Sequence, residues 1–264
     1  MTTWEFPADG PIDARISLPS GWVRVTASQT GTATISLTGD GRGAEQLIDE
    51  TEVSFEGGKL RVEAPKRVHI RGSASLHLTM ALPAGSSLDS RTASADLEVS
   101  GDLGTLSVDS ASGDVTADTV GGQASITTAS GEVRLQEVTG DARIKTASGE
   151  VTIRRADGEL TVNSASGDIR VGRASQYVQA KTASGDIRID SIAEGRADVT
   201  SVSGDITIAV PPGLGVYLDL SSLTGSVASY LAESAPGDGE SEASLSLSCN
   251  SVSGDIKVTR ASAG

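Results

Sequence analysis

The sequence predicts an all-β fold: a single-stranded parallel β-helix, or β-solenoid, with about 18 residues per coil. Three observations predict it, namely a motif that returns every 18 residues, short stretches of alternating apolar and polar residues, and scarce aromatic side chains. Aromatic residues make up only 3% of the 264 residues, whereas glycine alone numbers 31. This composition is typical of a narrow interior lined by small and β-branched side chains.

The repeat is carried by the motif Ser/Thr-x-Ser-Gly-Asp/Glu-Val/Ile. Its glycines follow one another at intervals of 18 residues from Gly113 to Gly185, and the later intervals are longer. The longer intervals contain the segments PPGLG at 211–215 and ESAPGDGESE at 233–242. The copies are SASGDV at 110–115, TASGEV at 128–133 and 146–151, SASGDI at 164–169, TASGDI at 182–187, and SVSGDI at 201–206 and 251–256. Identical positions of successive coils are expected to stack at the spacing of parallel strands, about 4.8 Å.

Each coil reads as two nonapeptides, and each nonapeptide as one short strand followed by a turn. Apolar residues recur at offsets 0, 2 and 5, which predicts two inward positions on the strand and a third after a bend. The residues expected to point inward are Val133, Leu135, Val138, Ala142, Ile144, Ala147, Val151, Ile153, Ala156, Leu160, Val162, Ala165 and Ala183. The hydroxyl residues of the motif are expected to stack outward: Thr128, Ser130, Thr146, Ser148, Ser164, Ser166, Thr182 and Ser184. Glycine at the corners is expected to allow positive φ or close approach, and the winding is expected to be right-handed.

The two ends of the chain depart from the strict repeat. Residues 1–90 contain strand-like stretches without the 18-residue spacing, and are expected to form an irregular β cap or irregular coils. Trp4, Phe6 and Trp22 are expected to cover the apolar end of the stack, as terminal repeats require. Residues 91–260 are expected to form the regular solenoid, with inserted loops near 211–215 and 233–242, and residues 261–264 a tail.

The charge and composition exclude several classes of function. The formal net charge is −14, which disfavours binding to nucleic-acid phosphates. The sequence shows neither a signal peptide nor an apolar stretch long enough to span a membrane. Cys249 is expected to act as a small apolar strand residue, and a single cysteine forms no intramolecular disulfide. A cytoplasmic protein without direct membrane insertion is therefore expected.

Catalytic chemistry has no support in the motifs. The two histidines, His69 and His77, lie in strand-like stretches, where a histidine normally faces solvent or is a satisfied core residue. No phosphate loop, HExxH, CxxC or nucleophile elbow stands in the required setting. The sequence therefore predicts a protein that is not an enzyme and has no cofactor.

One acidic residue follows the glycine of each motif, so several carboxylates are expected to stack. They are Asp114, Glu132, Glu150, Asp168, Asp186, Asp205 and Asp255. The first six are candidate calcium ligands, because stacked carboxylates repel unless they are screened or paired. The alternative is a solvated column in which Arg134, Arg170, Arg188 and Lys257, each two residues after an acid, provide the opposite charge. The second interpretation is preferred, since such pairs remove the need for a metal.

The TASGD-V-x-V repeats and the x-P-x-G turns resemble the bacterial putative-adhesin family of β-strand repeats, also called the Toastrack domain, of the type common in actinobacteria. The resemblance is strongest over 92–208 and 251–258. It implies a non-catalytic structural or protein-interaction module, an adhesin-like scaffold with an association with envelope stress. A protein partner or self-association is expected. The alternative function is a calcium- or ligand-binding module that uses the acidic turns.

Overall fold

The computed structural model of the chain describes residues 1–65, 74–231 and 244–261. The chain divides into two compact units, Met1–Thr139 and Gly140–Gly264. The described residues are almost entirely β-strand and turn, with one short helix. The prediction of an all-β parallel solenoid is confirmed.

The described residues of unit 1 form eleven strands and the helix. Their bounds are β1 Thr2–Pro7, β2 Asp13–Ser28, β3 Thr32–Asp40, α1 Ala44–Asp49, β4 Glu52–Glu56, β5 Lys59–Glu63, β6 Ser75–Pro83, β7 Ser87–Leu103, β8 Thr105–Ser110, β9 Val115–Val120, β10 Ala124–Thr128 and β11 Val133–Val138.

The coils of unit 1 do not stack in chain order. The long strand β2 pairs in parallel with β5 and β6 on one edge and with β7 on the other. Beyond β7 the stack continues in parallel through β8 and β9 to β10 and β11. At the opposite end the pairing becomes antiparallel, since β4 pairs with β5, β3 with β6 and β1 with β3. These antiparallel strands cap the first coil of the unit.

In unit 2 the part of the chain that the structure describes forms twelve strands. Their bounds are β12 Ala142–Ser148, β13 Val151–Ala156, β14 Leu160–Ser166, β15 Ile169–Ala174, β16 Val178–Ser184, β17 Ile187–Ile192, β18 Gly195–Ser203, β19 Ile206–Val210, β20 Val216–Ser222, β21 Val227–Ser229, β22 Leu245–Ser251 and β23 Ile256–Arg260.

Each coil of unit 2 contributes one strand to each of two parallel stacks. In one stack Val151 pairs with Ile169, and Ile169 with Ile187, at the 18-residue interval of the repeat. The last two coils are exchanged relative to chain order, because β22 pairs with β18 on one edge and with β20 on the other. The same exchange places β23 between β19 and β21. The coil of β20 and β21 therefore ends the stack.

The core of each unit is lined by the apolar strand residues, and most of the predicted inward residues are buried. Val133, Leu135 and Val138 are no more than 1% exposed, which confirms the offsets 0, 2 and 5 in the first nonapeptide. The prediction for Ala147, Ala165 and Ala183 is wrong, since all three are exposed. In the second nonapeptide the strand alternation continues for one more step, so Thr146 points inward instead of Ala147.

The hydroxyl residues of the motif accordingly divide into an inner and an outer column. Thr128, Thr146 and Thr182 are at most 7% exposed, so the prediction that they stack outward is wrong. Ser164 is half-buried, while the second serine of the motif is exposed, as predicted, at Ser130, Ser148, Ser166 and Ser184. At Thr128 the inner hydroxyl has a local partner, because the Gly131 N–H donates to Thr128 Oγ1 at 3.1 Å. Bonding to the following turn explains the polar residue at this position. Thr146 Oγ1 and Ser164 Oγ, by contrast, are buried without a hydrogen-bond partner among the described residues.

The aromatic residues of unit 1 lie in two places. Phe6 of β1 stacks on Phe55 of β4 with ring centroids 5.2 Å apart, within the antiparallel cap. Trp22 lies on β2, an inner strand with neighbours on both edges, so the prediction that it covers the end of the stack is wrong. The boundary proposed at residues 90 and 91 falls within β7 and stays a prediction. The predicted loop 233–242 and residues 262–264 of the predicted tail 261–264 lie outside the described residues.

Candidate functional site: the corner columns and the C-terminal coil

The corner glycines of unit 2 lie where the backbones of successive coils touch. A Cβ atom added to Gly185 would lie 2.3 Å from the carbonyl oxygen of Gly167, and one added to Gly204 only 2.0 Å from that of Gly185. No side chain fits between atoms at such distances, which confirms the expected close approach. The glycine fixes the position of the acidic residue that follows it.

The acidic residues use one carboxylate oxygen to bind the next coil. In unit 2 the Asp186 N–H donates to Asp168 Oδ1 at 3.0 Å, and the Asp205 N–H donates to Asp186 Oδ1 at 2.8 Å. The Asp255 N–H donates to Asp205 Oδ1 at 2.8 Å in the same way. The column ends at Ser226, whose N–H donates to Asp255 Oδ1 at 2.8 Å. These bonds lower the pKa of Asp255, first through the Ser226 backbone and then through its side chain.

Unit 1 contains a shorter column of the same kind. The Asp114 N–H donates to Asp96 Oδ1 at 3.0 Å, and the Glu132 N–H donates to Asp114 Oδ1 at 2.9 Å. The carboxylates that the sequence assigned to turns are therefore brought together coil by coil within each unit. The aspartates Asp114, Asp168, Asp186, Asp205 and Asp255 each accept a backbone N–H of the neighbouring coil that would otherwise be unpaired at the corner. The glutamates differ, since Glu132 pairs with Arg134 and Glu150 accepts from the Thr152 hydroxyl.

The predicted cation partners are present in part. Arg134 pairs with Glu132, and Arg170 pairs with both Asp168 and Glu150. Two other cations have different partners from those predicted. Arg188 binds Asp190 at 2.6 Å instead of Asp186, and the Lys257 ammonium lies over the Tyr230 ring instead of beside Asp255. Among residues 1–65, 74–231 and 244–261, no three His, Cys, Asp or Glu side chains form a group that could hold a metal ion. The calcium assignment of the acidic turns stays a prediction.

His77 belongs to a cluster on the outer surface of unit 1. Its ring stacks on Trp22 with centroids 5.0 Å apart, and its Nε2 lies 2.9 Å from Asp40 Oδ2. The guanidinium of Arg24 lies 5.1 Å from the centroid of the Trp22 ring. This arrangement holds the histidine ring between an aromatic ring and a carboxylate, and the Thr38 hydroxyl on the paired strand donates to the His77 carbonyl oxygen at 3.5 Å. His69 lies outside the described residues.

Cys249 lies inside the solenoid on β22 and is fully buried. Burial raises the pKa of its thiol to about 12, with smaller contributions from Asp198 and Asp219. A thiol with so little thiolate at neutral pH is a poor nucleophile or metal ligand. The prediction that Cys249 acts as a small apolar strand residue is confirmed.

The coil that ends unit 2 has a different surface, which sequence reasoning missed. Among the described residues, every exposed large apolar side chain except Met1 lies on this coil or at the neighbouring corners. We define the C-terminal apolar surface by these six residues: Val202, Tyr217, Leu223, Val227, Tyr230 and Val252.

Three of these residues form an exposed ridge at one corner. The pairing of Ser201, Ser251 and Ser222 places Val202, Val252 and Leu223 on successive coils. Earlier coils of unit 2 have alanine there, at Ala147, Ala165 and Ala183. The sequence does carry this difference, since the second motif residue is valine in SVSGD at 201–205 and 251–255 and leucine in SLTGS at 222–226, where TASGD has alanine. The difference indicates an exposed apolar ridge only once this second position is known to face outward.

The interior of this last coil is also open. Val216, Leu218 and Leu220 are half-buried, whereas Leu245, Leu247 and Cys249, their partners on β22, are fully buried. Val227 is 45% exposed, whereas its partner Ile256 on β23 is 1% exposed. The positions that line the core in other coils thus lack a covering coil among the described residues.

Comparison with solved structures gives the same fold. A putative lipid binding protein from Parabacteroides distasonis is 15% identical and matches with a TM-score of 0.55 over 97% of this chain and 96% of that chain. A putative adhesin from Bacteroides fragilis is also 15% identical and matches with a TM-score of 0.52 over the same shares of the two chains. No curated protein matches the sequence.

No described helix has the length and apolar character needed to cross a membrane. The family model described as Toastrack DUF4097 matches residues 14–259, which is nearly the whole chain. The repeated coils, the corner glycines and this match together establish that the chain belongs to the Toastrack family.

Proposed function

We propose that this protein is a non-catalytic, adhesin-like interaction scaffold that binds another protein chain through its C-terminal apolar surface. The observation that carries the proposal is the concentration of exposed large apolar side chains on that surface, while the rest of the described surface has none beyond Met1. Concentrations of exposed apolar side chains typically mark interaction sites. The residues of the acidic turns, by contrast, are used to hold successive coils together.

A protein partner is favoured over a lipid partner by the backbone of the last coil. Among the described residues, β20 pairs only with β22, and β21 only with β23, so each strand leaves one edge without a partner. A polypeptide can pair with the N–H and C=O groups of such an edge, whereas hydrocarbon cannot. The surface therefore combines apolar side chains with main-chain hydrogen-bonding groups, as β-strand addition requires.

Site-specific photo-cross-linking in the organism that makes the protein tests this proposal. A benzophenone amino acid at Tyr217, which is 63% exposed, should give a discrete cross-linked protein product. The same probe at Arg154, which is exposed on β13, is the matched control and should give none. The Tyr217 product should weaken at least fivefold when Leu223, 78% exposed, is changed to serine. Absence of a product at Tyr217, or equal products at both positions, would contradict the proposal.

Cell fractionation tests where this scaffold acts. The sequence favours the cytoplasm, whereas the adhesin named among the structural neighbours favours the cell surface. The proposal retains the cytoplasmic location and the association with envelope stress that the family resemblance implies. Recovery of the protein in the surface fraction would overturn the location while leaving the interaction scaffold in place.

A further inference from the structure

The partner of the C-terminal coil can be inferred from the chemistry of its edge. Residues 216–230 contain one charged side chain, Asp219, and no proline. Natural sheets normally protect exposed edge strands with charges, prolines or bulges, because an unprotected edge pairs with other strands. The last coil of unit 2 lacks this protection.

The edge strands of unit 1 show the contrast. β1 includes Glu5 and Pro7, and β4 begins with Glu52 and ends with Glu56. These residues are exposed or half-buried, and they disfavour pairing with a further strand. The edge strands of unit 1 are therefore protected in a way that the last coil of unit 2 is not.

The segment that precedes β22 has no residues suited to cover the coil. The segment between the described residues Leu231 and Ser244 has the sequence AESAPGDGESEA. It has four acidic residues, one proline and no apolar side chain larger than alanine. Such a sequence cannot supply the large apolar groups that Val216, Leu218 and Leu220 lack.

We propose that this surface binds a second copy of the same chain, and that β20 pairs with β20 of that copy in antiparallel orientation across a two-fold axis. The inference rests on the proposed function and names the partner. A two-fold axis brings the same strand of each copy together antiparallel, and it lets the open interiors of the two coils cover each other. Val216, Leu218 and Leu220 then acquire the burial that Leu245, Leu247 and Cys249 already have.

The hydrogen-bonding pattern of β20 defines the possible registers. The C=O of Gly215 and the N–H of Leu223 both bond toward β22, so the odd-numbered residues between them face β22. The main-chain groups of Val216, Leu218 and Leu220 therefore face the open edge.

Charge then favours one register of the pair. A pair centred on Leu218 places Tyr217 opposite Asp219 of the second copy, where the phenol can donate to the carboxylate. A pair centred on Asp219 would oppose two like charges.

Sedimentation velocity on the full-length chain over a hundredfold concentration range tests the inference. We expect a monomer–dimer equilibrium for the wild type without larger species. Tyr217→Asp should raise the dimer dissociation constant at least tenfold, because it opposes Asp219 of the second copy. Adding Asp219→Lys to Tyr217→Asp should restore dimerisation, since the opposed charges then attract. Ser246→Asp is the matched control, because Ser246 is the partner of Tyr217 on the inner strand β22 and its substitution should leave the dimer unchanged.

The outcomes separate this inference from the proposed function. A wild type that stays monomeric, an unaffected Tyr217→Asp variant, failed rescue by Asp219→Lys, or growth beyond the dimer would each overturn the second-copy pairing. If the wild type is monomeric while the probe at Tyr217 captures a different protein, the proposed interaction scaffold is supported and the homodimer is excluded. If the probe captures nothing and the wild type is monomeric, both proposals are contradicted.

Discussion

At the scale of single residues, the corner glycine is the position that tolerates least change. Gly185 lies against the Gly167 carbonyl oxygen, and a Cβ there would lie 2.3 Å from that atom. Because both atoms belong to the hydrogen-bonded stack, Gly185→Ala must displace a coil. We expect it to lower the free energy of unfolding by about 2 kcal/mol, measured by urea denaturation. Gly31→Ala is the control, since a Cβ at Gly31 would meet nothing within 4 Å, and equal effects of the two changes would contradict the close-approach explanation.

The acidic residue after the glycine acts through one oxygen atom. Asp186 Oδ1 accepts the Asp205 N–H at 2.8 Å, and an asparagine at position 186 retains an equivalent oxygen. We therefore expect Asp186→Ala to lower the free energy of unfolding by about 1 kcal/mol, and Asp186→Asn to lower it by less than half as much. Urea denaturation of the two variants beside the wild type measures the difference. Equal losses for asparagine and alanine, which both remove the charge, would show that charge, and not the hydrogen bond, is the important property.

Asp255, at the end of the acidic column of unit 2, makes the stability of the fold depend on pH. Its folded-state pKa lies below the ordinary value of 3.8, chiefly because the Ser226 N–H bonds the charged form. A lowered folded pKa stabilises the fold above the unfolded pKa, and this stabilisation is lost as the pH falls through the folded value. We expect the free energy of unfolding to decrease as the pH is lowered below about 4. In Asp255→Asn this decrease should be less steep. Urea denaturation between about pH 2.5 and 5 measures both slopes, and identical slopes would exclude this role for Asp255.

At the scale of strands and turns, the repeat predicted the parallel pairing and the 18-residue register, but not the difference between the two nonapeptides. Val133, Leu135 and Val138 follow the expected offsets, whereas the second strand of each coil keeps alternating through Thr146. Polarity alone predicts that a threonine at this position points outward. Its hydroxyl can be recognised as internal only when the turn N–H that it serves is known, as at Thr128 and Gly131.

The exchange of the last two coils could not be predicted from the sequence either. The segments 201–206 and 251–256 are both SVSGDI, so their letters do not show which coil lies beside which. The choice depends on how the intervening chain returns, and the motif contains no information about that path. The exposed ridge was missed for a different reason, since the position before the second motif serine was assigned to the interior.

Substitution at adjacent positions of β16 tests this assignment of inside and outside. Thr182 is 4% exposed, whereas Ala183 is exposed. Thr182→Lys should lower the free energy of unfolding by at least about 3 kcal/mol, because it forces a charge into the interior. Ala183→Lys should change it by less than about 0.5 kcal/mol, since the new charge stays in water. Thermal and urea denaturation of the two variants measure the contrast, and the reverse order would restore the interior assignment of Ala183.

At the scale of the whole molecule, the acidic composition and the many carboxylate contacts have opposite effects. With a net charge of −14, the acidic side chains repel one another. This repulsion destabilises the compact state, and salt screens it. Within each unit, however, the column carboxylates accept backbone N–H groups or pair with arginines, as Asp168 and Asp186 illustrate. Repulsion in the columns is therefore offset by fixed donors, with no requirement for a bound cation.

This balance predicts how the protein responds to divalent ions. Sodium chloride should raise the melting temperature from low ionic strength by general screening, and calcium and magnesium chloride should give equal increases when compared at the same ionic strength. A specific calcium site would instead stabilise the folded state in proportion to its occupancy, and would favour calcium because the larger ion accepts more oxygen ligands in irregular geometry. Scanning calorimetry of the wild type and of Asp168→Asn in the two salts measures the difference. A melting temperature at least about 5 °C higher in calcium than in magnesium corresponds to roughly 1–2 kcal/mol, and its loss in Asp168→Asn would assign calcium binding to the acidic turns.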